Sequence, residues 1–176
     1  MGLINYEKSN VEVRKFVPED AETVSSLIHR NFLEVNIKDY GQEAMEEMVR
    51  THDFNWVLGV ASFAHMYVFC ADDKVVACGS IASLWGSLDE SILLTVFVLP
   101  EYHGQGIGRK VVQTLELDDL FTRAKRIEIP ASITACEFYQ KMGYDFKGGI
   151  KELDEERHYR MEKFRGGVQE YEYTNE

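Results

Sequence analysis

The sequence predicts a single α/β (α+β) domain built on one mixed sheet with helices on both faces. Three observations carry this. Predicted elements run strand, helices, three strands, helix, strand, helix and a closing pair of strands, with no linker or internal repeat between them. The length of 176 residues, 45% of them hydrophobic and 12% aromatic, suits one domain with a sizeable core. And the run from Ile92 to Leu99 is apolar in both strand phases, as in a central strand covered on both faces. The expected domain spans residues 1–165, with 166–176 as a loose tail rich in glycine, acid and tyrosine.

Val11 to Phe16 alternates apolar with charged residues, the pattern of a half-buried strand, and Pro18 stops it. A helix follows from Asp20, with Val24, Leu27, Ile28, Asn31 and Val35 at helical spacing and acids at its positive end. A break at Asn36 to Gly41 precedes a second helix from Gln42 to Arg50, and Phe54 to Phe63 reads as a short third. Met66 to Ala71 and Val75 to Ser83 form a hairpin around Asp72-Asp73-Lys74. After the loop Trp85 to Asp89 comes the central strand, ended by Pro100, then a helix from Gly106 to Arg123 with Ile107, Val111, Val112 and Leu115 on one face. Arg126 to Ile129 is a strand cut by Pro130, Ser132 to Met142 a helix closed by Gly143, and Tyr144 to Phe146 with Arg157 to Phe164 the last strand pair.

The formal net charge of -11 excludes a polyanionic partner such as nucleic acid, whose binding needs Lys and Arg at phosphates. The same field favours cationic small molecules. The first ten residues lack a basic flank and an apolar run, and no run reaches membrane-spanning length, so a cytoplasmic protein without membrane contact is expected. Tyr6 stands where a myristoylation signal wants Ser or Thr. Cys70, Cys78 and Cys136 are read as small thiols, and the five scattered histidines show no metal-ligand spacing.

His103-Gly104-Gln105-Gly106-Ile107-Gly108-Arg109 sits where a strand gives way to a helix. Backbone N–H groups there are unpaired and point outward, and glycines let the chain curl against a phosphate. The turn therefore reads as an anion cradle, with an ordinary tight turn as the plain alternative. A dinucleotide site fits poorly, because the glycines run GxGxG after a late strand, although Glu128 lies twenty residues past Gly108.

LTVFVLPEYHGQGIGRKVV resembles the acetyl-CoA-binding signature of the GCN5-related N-acetyltransferase (GNAT) family, and the block from Ser132 to Tyr144, with Phe138, Tyr139 and Gly143, resembles that family's second motif. The resemblance covers Ser91 to Phe146 and implies a mostly antiparallel sheet with a splayed central strand. It implies that the strand opens near Val96, Phe97 and Val98 and pairs with the pantetheine arm of acetyl-CoA. By the same resemblance the N–H groups of Gly104, Gln105, Gly106, Ile107, Gly108 and Arg109 hold the pyrophosphate, His103 is a further cofactor-binding position, and Ser132 and Tyr139 flank the thiol. His103 stands where the family has Arg or Gln, and Ser132 where it commonly has Asn. Helical spacing independently puts Ser132, Cys136 and Tyr139 on one face and Ala135, Phe138 and Met142 on a core face.

The implied activity is N-acetylation: an amine of a small molecule or peptide attacks the thioester directly. An alkyl ammonium of pKa about 10.4 must first lose a proton, so a carboxylate base is needed. Glu90 and Glu128 are the candidates, each otherwise an ordinary acid at a strand end, and Tyr139 is the acid for the leaving thiolate. A non-catalytic acyl-CoA-binding module is the alternative. Acceptor choice is expected from Phe32 to Phe63, with Tyr40, Met45, Met48, Phe54 and Trp56, and from the last hairpin, through which a homodimer is also open.

Overall fold

The structure, a computed structural model, describes residues 10–166. The expected tail from residue 167 on, and the N-terminal segment read for signals, lie outside the described residues. Strands β1 (Val11–Lys15), β2 (His65–Ala71), β3 (Lys74–Ser83), β4 (Glu90–Val98), β5 (Arg126–Ala131), β6 (Asp145–Phe146) and β7 (Tyr159–Phe164) form one seven-stranded sheet in the order β1-β2-β3-β4-β5-β7-β6. Only the β4/β5 pair is parallel; the rest are antiparallel. The expected mixed, mostly antiparallel sheet is thus present.

The β2/β3 hairpin turns on Asp72 and Asp73, both with positive φ (48° and 63°), the paired left-handed geometry of a two-residue turn that follows the strand twist. Helix α1 (Ala21–Asn31) and helix α5 (Ile107–Leu115) both pack on β3, whose residues Val75–Ala82 are buried on both faces, so the two helices cover opposite sides. Val24, Leu27 and Ile28 supply the α1 layer; Val111, Val112 and Leu115 supply the α5 layer. Gly79 lets α5 come close: a Cβ there would lie 2.5 Å from Val111 Cγ1. Among the described residues no helix is long and apolar enough to cross a membrane.

Four local expectations are corrected. No break occurs at Asn36: a π-helical turn, Phe32–Asn36, carries the chain into helix α2 (Ile37–Tyr40), and Gly41 at φ 85° separates it from α3 (Gln42–Thr51). Helix α4 (Phe54–Ala61) follows as read. The helix after the glycine turn stops at Leu115 because Asp118 starts a new one, α6 (Asp119–Thr122), its carboxylate accepting from Leu120 N–H at 2.8 Å. Pro130 does not end β5 but pairs with Arg160, since the side of β5 facing β4 has no ladder there and the missing N–H costs no bond. Finally, α7 is Cys136–Lys141; Ser132 lies in a preceding turn fixed by Asp39, whose carboxylate accepts from Thr134 N and Oγ1 at 3.0 and 2.5 Å. Gly143 closes α7 as expected, with Tyr144 N–H donating to Tyr139 O and Gly143 N–H to Gln140 O, both at 3.0 Å.

Candidate active site

The site is built on a gap in the middle of the sheet. β4 and β5 pair only at Glu90–Arg126, Ser91–Ile127 and Ile92–Glu128. Beyond that vertex both strands run on unpaired with each other, to Val98 and Ala131. A bulge drives the divergence: Thr95 and Val96 together oppose Gly79, and Thr95 takes φ 49°, a costly conformation for a β-branched residue. Its strain is held by Ser80 Oγ, 2.5 Å from Thr95 Oγ1, and by Cys78 Sγ–H donating to Thr95 O at 3.2 Å. As a result Leu94, Val96, Phe97 and Val98 are only half-buried on the central strand. The expectation of a strand covered on both faces holds for Leu93 and Leu99, which are buried, and fails for Leu94, Val96, Phe97 and Val98, which stay half-buried beside the gap.

The glycine turn closes one end of this cleft. Gly104 and Gly106 have φ of 74° and 81°, with nothing within 4 Å of where a Cβ would stand. Gly106 caps α5 without a side-chain acceptor, so the N–H groups of Ile107, Gly108 and Arg109 have no intrahelical partner. Ile107 is buried and anchors the turn, Arg109 is exposed, and the Gln105 amide donates to Glu101 O at 3.1 Å. Phe138 reaches this turn: its Cζ lies 3.3 Å from the Cβ position of Gly108, and Val98 Cγ2 lies 4.0 Å from it. Phe138 is therefore half-buried against the cradle, whereas Cys136, Tyr139 and Met142 form the buried face of α7. The expected core face is thus present in part: Met142 is buried, while Ala135 and Phe138 are half-buried against the core.

Glu90 and Glu128 meet at one guanidinium. Arg126 Nε donates to Glu90 Oε1 at 2.7 Å and its Nη1 to Glu128 Oε2 at 2.8 Å and Glu162 Oε2 at 3.0 Å. Glu128 is 1% exposed, and Arg160 Nη2 and Lys147 Nζ also hold it, at 2.6 and 3.1 Å. Burial pushes its carboxyl up, but the hydrogen bonds from Arg126, Arg160 and Lys147 outweigh this and keep it below its ordinary value. Glu90 differs: its side chain is 41% exposed. Sequence reasoning missed Arg126, although strand alternation puts it on the face of Glu128, two residues away.

Tyr139 is buried against Phe138 and Tyr144, with ring centroids 5.0 and 6.0 Å away. Its hydroxyl has no hydrogen-bond partner among the described residues, and burial alone pushes the phenol well above its ordinary value. Ser132 is half-buried in the turn that Asp39 fixes. The region expected to choose the acceptor divides: Phe32 and Met45 are core, but Phe32 also meets Phe97 edge to face at 5.7 Å. Tyr40 reaches the last hairpin, donating to Arg157 O at 3.1 Å under the Arg157 guanidinium, with His158 6.2 Å from its ring. A cavity of about 530 Å3 is lined by Tyr40, Gln42, Glu43, Glu47 and Arg50. A smaller one, about 170 Å3, lies at the far edge of the sheet beside Lys15, His65 and Tyr67.

Comparison with known proteins agrees with this geometry. PaiA N-acetyltransferase from Thermoplasma acidophilum, solved in complex with coenzyme A, superposes with a TM-score of 0.74 at 18% identity, over 88% of this chain and 99% of its own. A GCN5-related N-acetyltransferase from Rhodopseudomonas palustris gives 0.70 at 22% identity, over 87% and 94%. A GNAT family acetyltransferase from Brucella melitensis, in complex with acetyl-CoA, gives 0.63 at 18%, over 92% of each. At such identities these speak for the fold. No curated protein matches in sequence. The family model described as Acetyltransferase (GNAT) family matches residues 28–144, from the end of α1 through the glycine turn to Tyr144, and the chain belongs to that family.

Proposed function

We propose that the chain is an acetyl-CoA-dependent N-acetyltransferase acting on a primary amine of a small molecule or peptide. The observation that carries this is the divergence of β4 from β5 beyond Ile92 and Glu128, next to an α5 N-terminus with uncapped N–H groups. An open strand edge and an anion cradle on one cleft fit a ligand with an extended amide arm and a pyrophosphate. In this reading the N–H groups from Gly104 to Arg109 hold the pyrophosphate, and the edge of β4 from Val96 to Val98 aligns the arm. Bound acetyl-CoA would supply the thioester.

Base and acid follow from the surroundings of each group. Glu128 has both oxygens committed, Oε1 to Arg160 and Oε2 to Arg126 and Lys147, so it serves to hold Arg126. Glu90 has Oε1 on Arg126 but a part-exposed carboxylate, and it takes the base role, through a water that it orders. Burial disfavours the phenolate, so Tyr139 is protonated at neutral pH, and its hydroxyl is the proton source assigned to the leaving thiolate. Calorimetry with acetyl-CoA, followed by an amine panel with thiol detection, tests the proposal; no heat at millimolar ligand would sink it.

The second reading, a non-catalytic acyl-CoA-binding module, is favoured by one observation: both candidate bases are ion-paired to Arg126. It predicts binding of acetyl-CoA without thiol release for any amine.

A further inference from the structure

The ladder between β3 and β4 decides which way the last peptide groups of β4 point. Leu99 N–H donates to Val76 O at 2.8 Å, and Val98 pairs with Ala77 in the next register position. Leu99 and Phe97 therefore turn their N–H and C=O groups toward β3, and Val98 turns its own the other way. On that side β5 has already left the ladder, so Val98 O is an acceptor on an open edge. The imidazole of His103 takes it, with Nε2 at 2.8 Å. A carbonyl only accepts, so Nε2 carries the proton. The single 3-10 turn Pro100–Tyr102, closed by His103 N–H on Pro100 O, folds this side chain back over the strand it has just left.

We propose that His103 is a latch on the open edge of β4, which a ligand arm binding there by strand addition must displace. This rests on the reading above, in which the pantetheine arm lies along β4. The direction in which a strand carbonyl accepts is the direction in which a neighbouring strand lies. A ring donating from there fills the strip that a ligand amide needs. Displacement exchanges one hydrogen bond for another, and the exposed ring moves into water. The latch also has a use without ligand: it satisfies an acceptor on an unpaired edge that would otherwise template pairing with another chain. The first position of the glycine motif then controls the strand edge, not the phosphates.

The test is calorimetry with two probes, CoA and adenosine bisphosphate, which lacks the arm, on the wild type, His103→Ala and His103→Gln. Removing the donor in His103→Ala is expected to tighten CoA about three- to tenfold, the size of one net hydrogen bond, and to leave the bisphosphate unchanged. His103→Gln, which keeps a donor of similar reach, is expected to stay at wild-type values. Imidazole nitrogen NMR of the wild type is expected to show the Nε2–H form of His103 and to shift with CoA but not with the bisphosphate. If His103→Ala weakens CoA, or changes both probes alike, the ring serves the phosphate turn and the latch is overturned. A wild type that binds neither probe overturns the coenzyme reading itself, and the latch with it.

Discussion

Glu128 and Glu162 stand directly opposite each other on β5 and β7, and one nitrogen of Arg126 donates to both. Like charges facing across a ladder repel, and both carboxylates are buried, so the pair depends on the cations around it.

The first prediction follows from that dependence. Glu128→Gln should cost roughly 3 kcal/mol near neutral pH, because it leaves Arg126, Arg160 and Lys147 short of a partner. Glu128 has a folded-state pKa below its ordinary 4.5, so its contribution is complete above that pH and is lost as pH falls through the folded value. The difference in Tm between wild type and variant should therefore shrink below pH 4.5. Melting curves across an acid series check it; a constant difference would refute the linkage.

Tyr139→Phe removes a hydroxyl without removing the ring that packs on Tyr144. If that hydroxyl is the acid, kcat should fall on the order of 100-fold with CoA affinity unchanged. Because burial raises the phenol above its ordinary 10.0, the wild type should show no alkaline loss of kcat from this group below that pH. Steady-state rates over pH, for both proteins, decide the matter.

Gly79→Ala should destabilise by about 1–3 kcal/mol, since its Cβ would sit 2.5 Å from Val111 and 3.2 Å from Leu115. Adding Val111→Ala opens the space and should recover part of the loss. Denaturant titrations of the single and double variants measure the coupling; additive losses would contradict the close approach.

Thiol reactivity should follow burial. Cys78 is fully buried, donates to Thr95 O, and burial pushes its thiol up to about 12, whereas Cys70 is half-exposed. A thiol reagent near neutral pH should label Cys70 first and Cys78 only on unfolding. Peptide mapping after partial labelling gives the order, and early modification of Cys78 would mean that the bulge at Thr95 opens readily.

Much of this was legible in the amino-acid order because it depends on local chemistry. The Asp72-Asp73 turn, the glycine cradle and the Gly143 stop each need particular residues at particular positions, and the pattern shows them. The face of α5 was readable for the same reason: Val111, Val112 and Leu115 recur at helical spacing. What stayed hidden depends on partners distant in sequence. The helix from Asn31 to Tyr40 survives through a π turn that no propensity marks, and the break at Glu116–Asp118 comes from an acid held by His65 and Tyr67, more than fifty residues away. Thr95 carries the bulge with no sign in its type. Glu128 read as an exposed strand-end acid because its cations, Lys147 and Arg160, arrive from the last hairpin.

The shortness of the β4/β5 pairing has a mechanical meaning. The sheet is like an open book: four strands on one cover, three on the other, and a spine of three residue pairs. A longer spine would bring Leu93 against Ile129 and shut the pages on Phe97 and Val98. What keeps a cleft open in an otherwise close-packed interior is thus an interaction left unmade, and the width of the fore edge is free to be set by whatever lies between Val98 and Ala131.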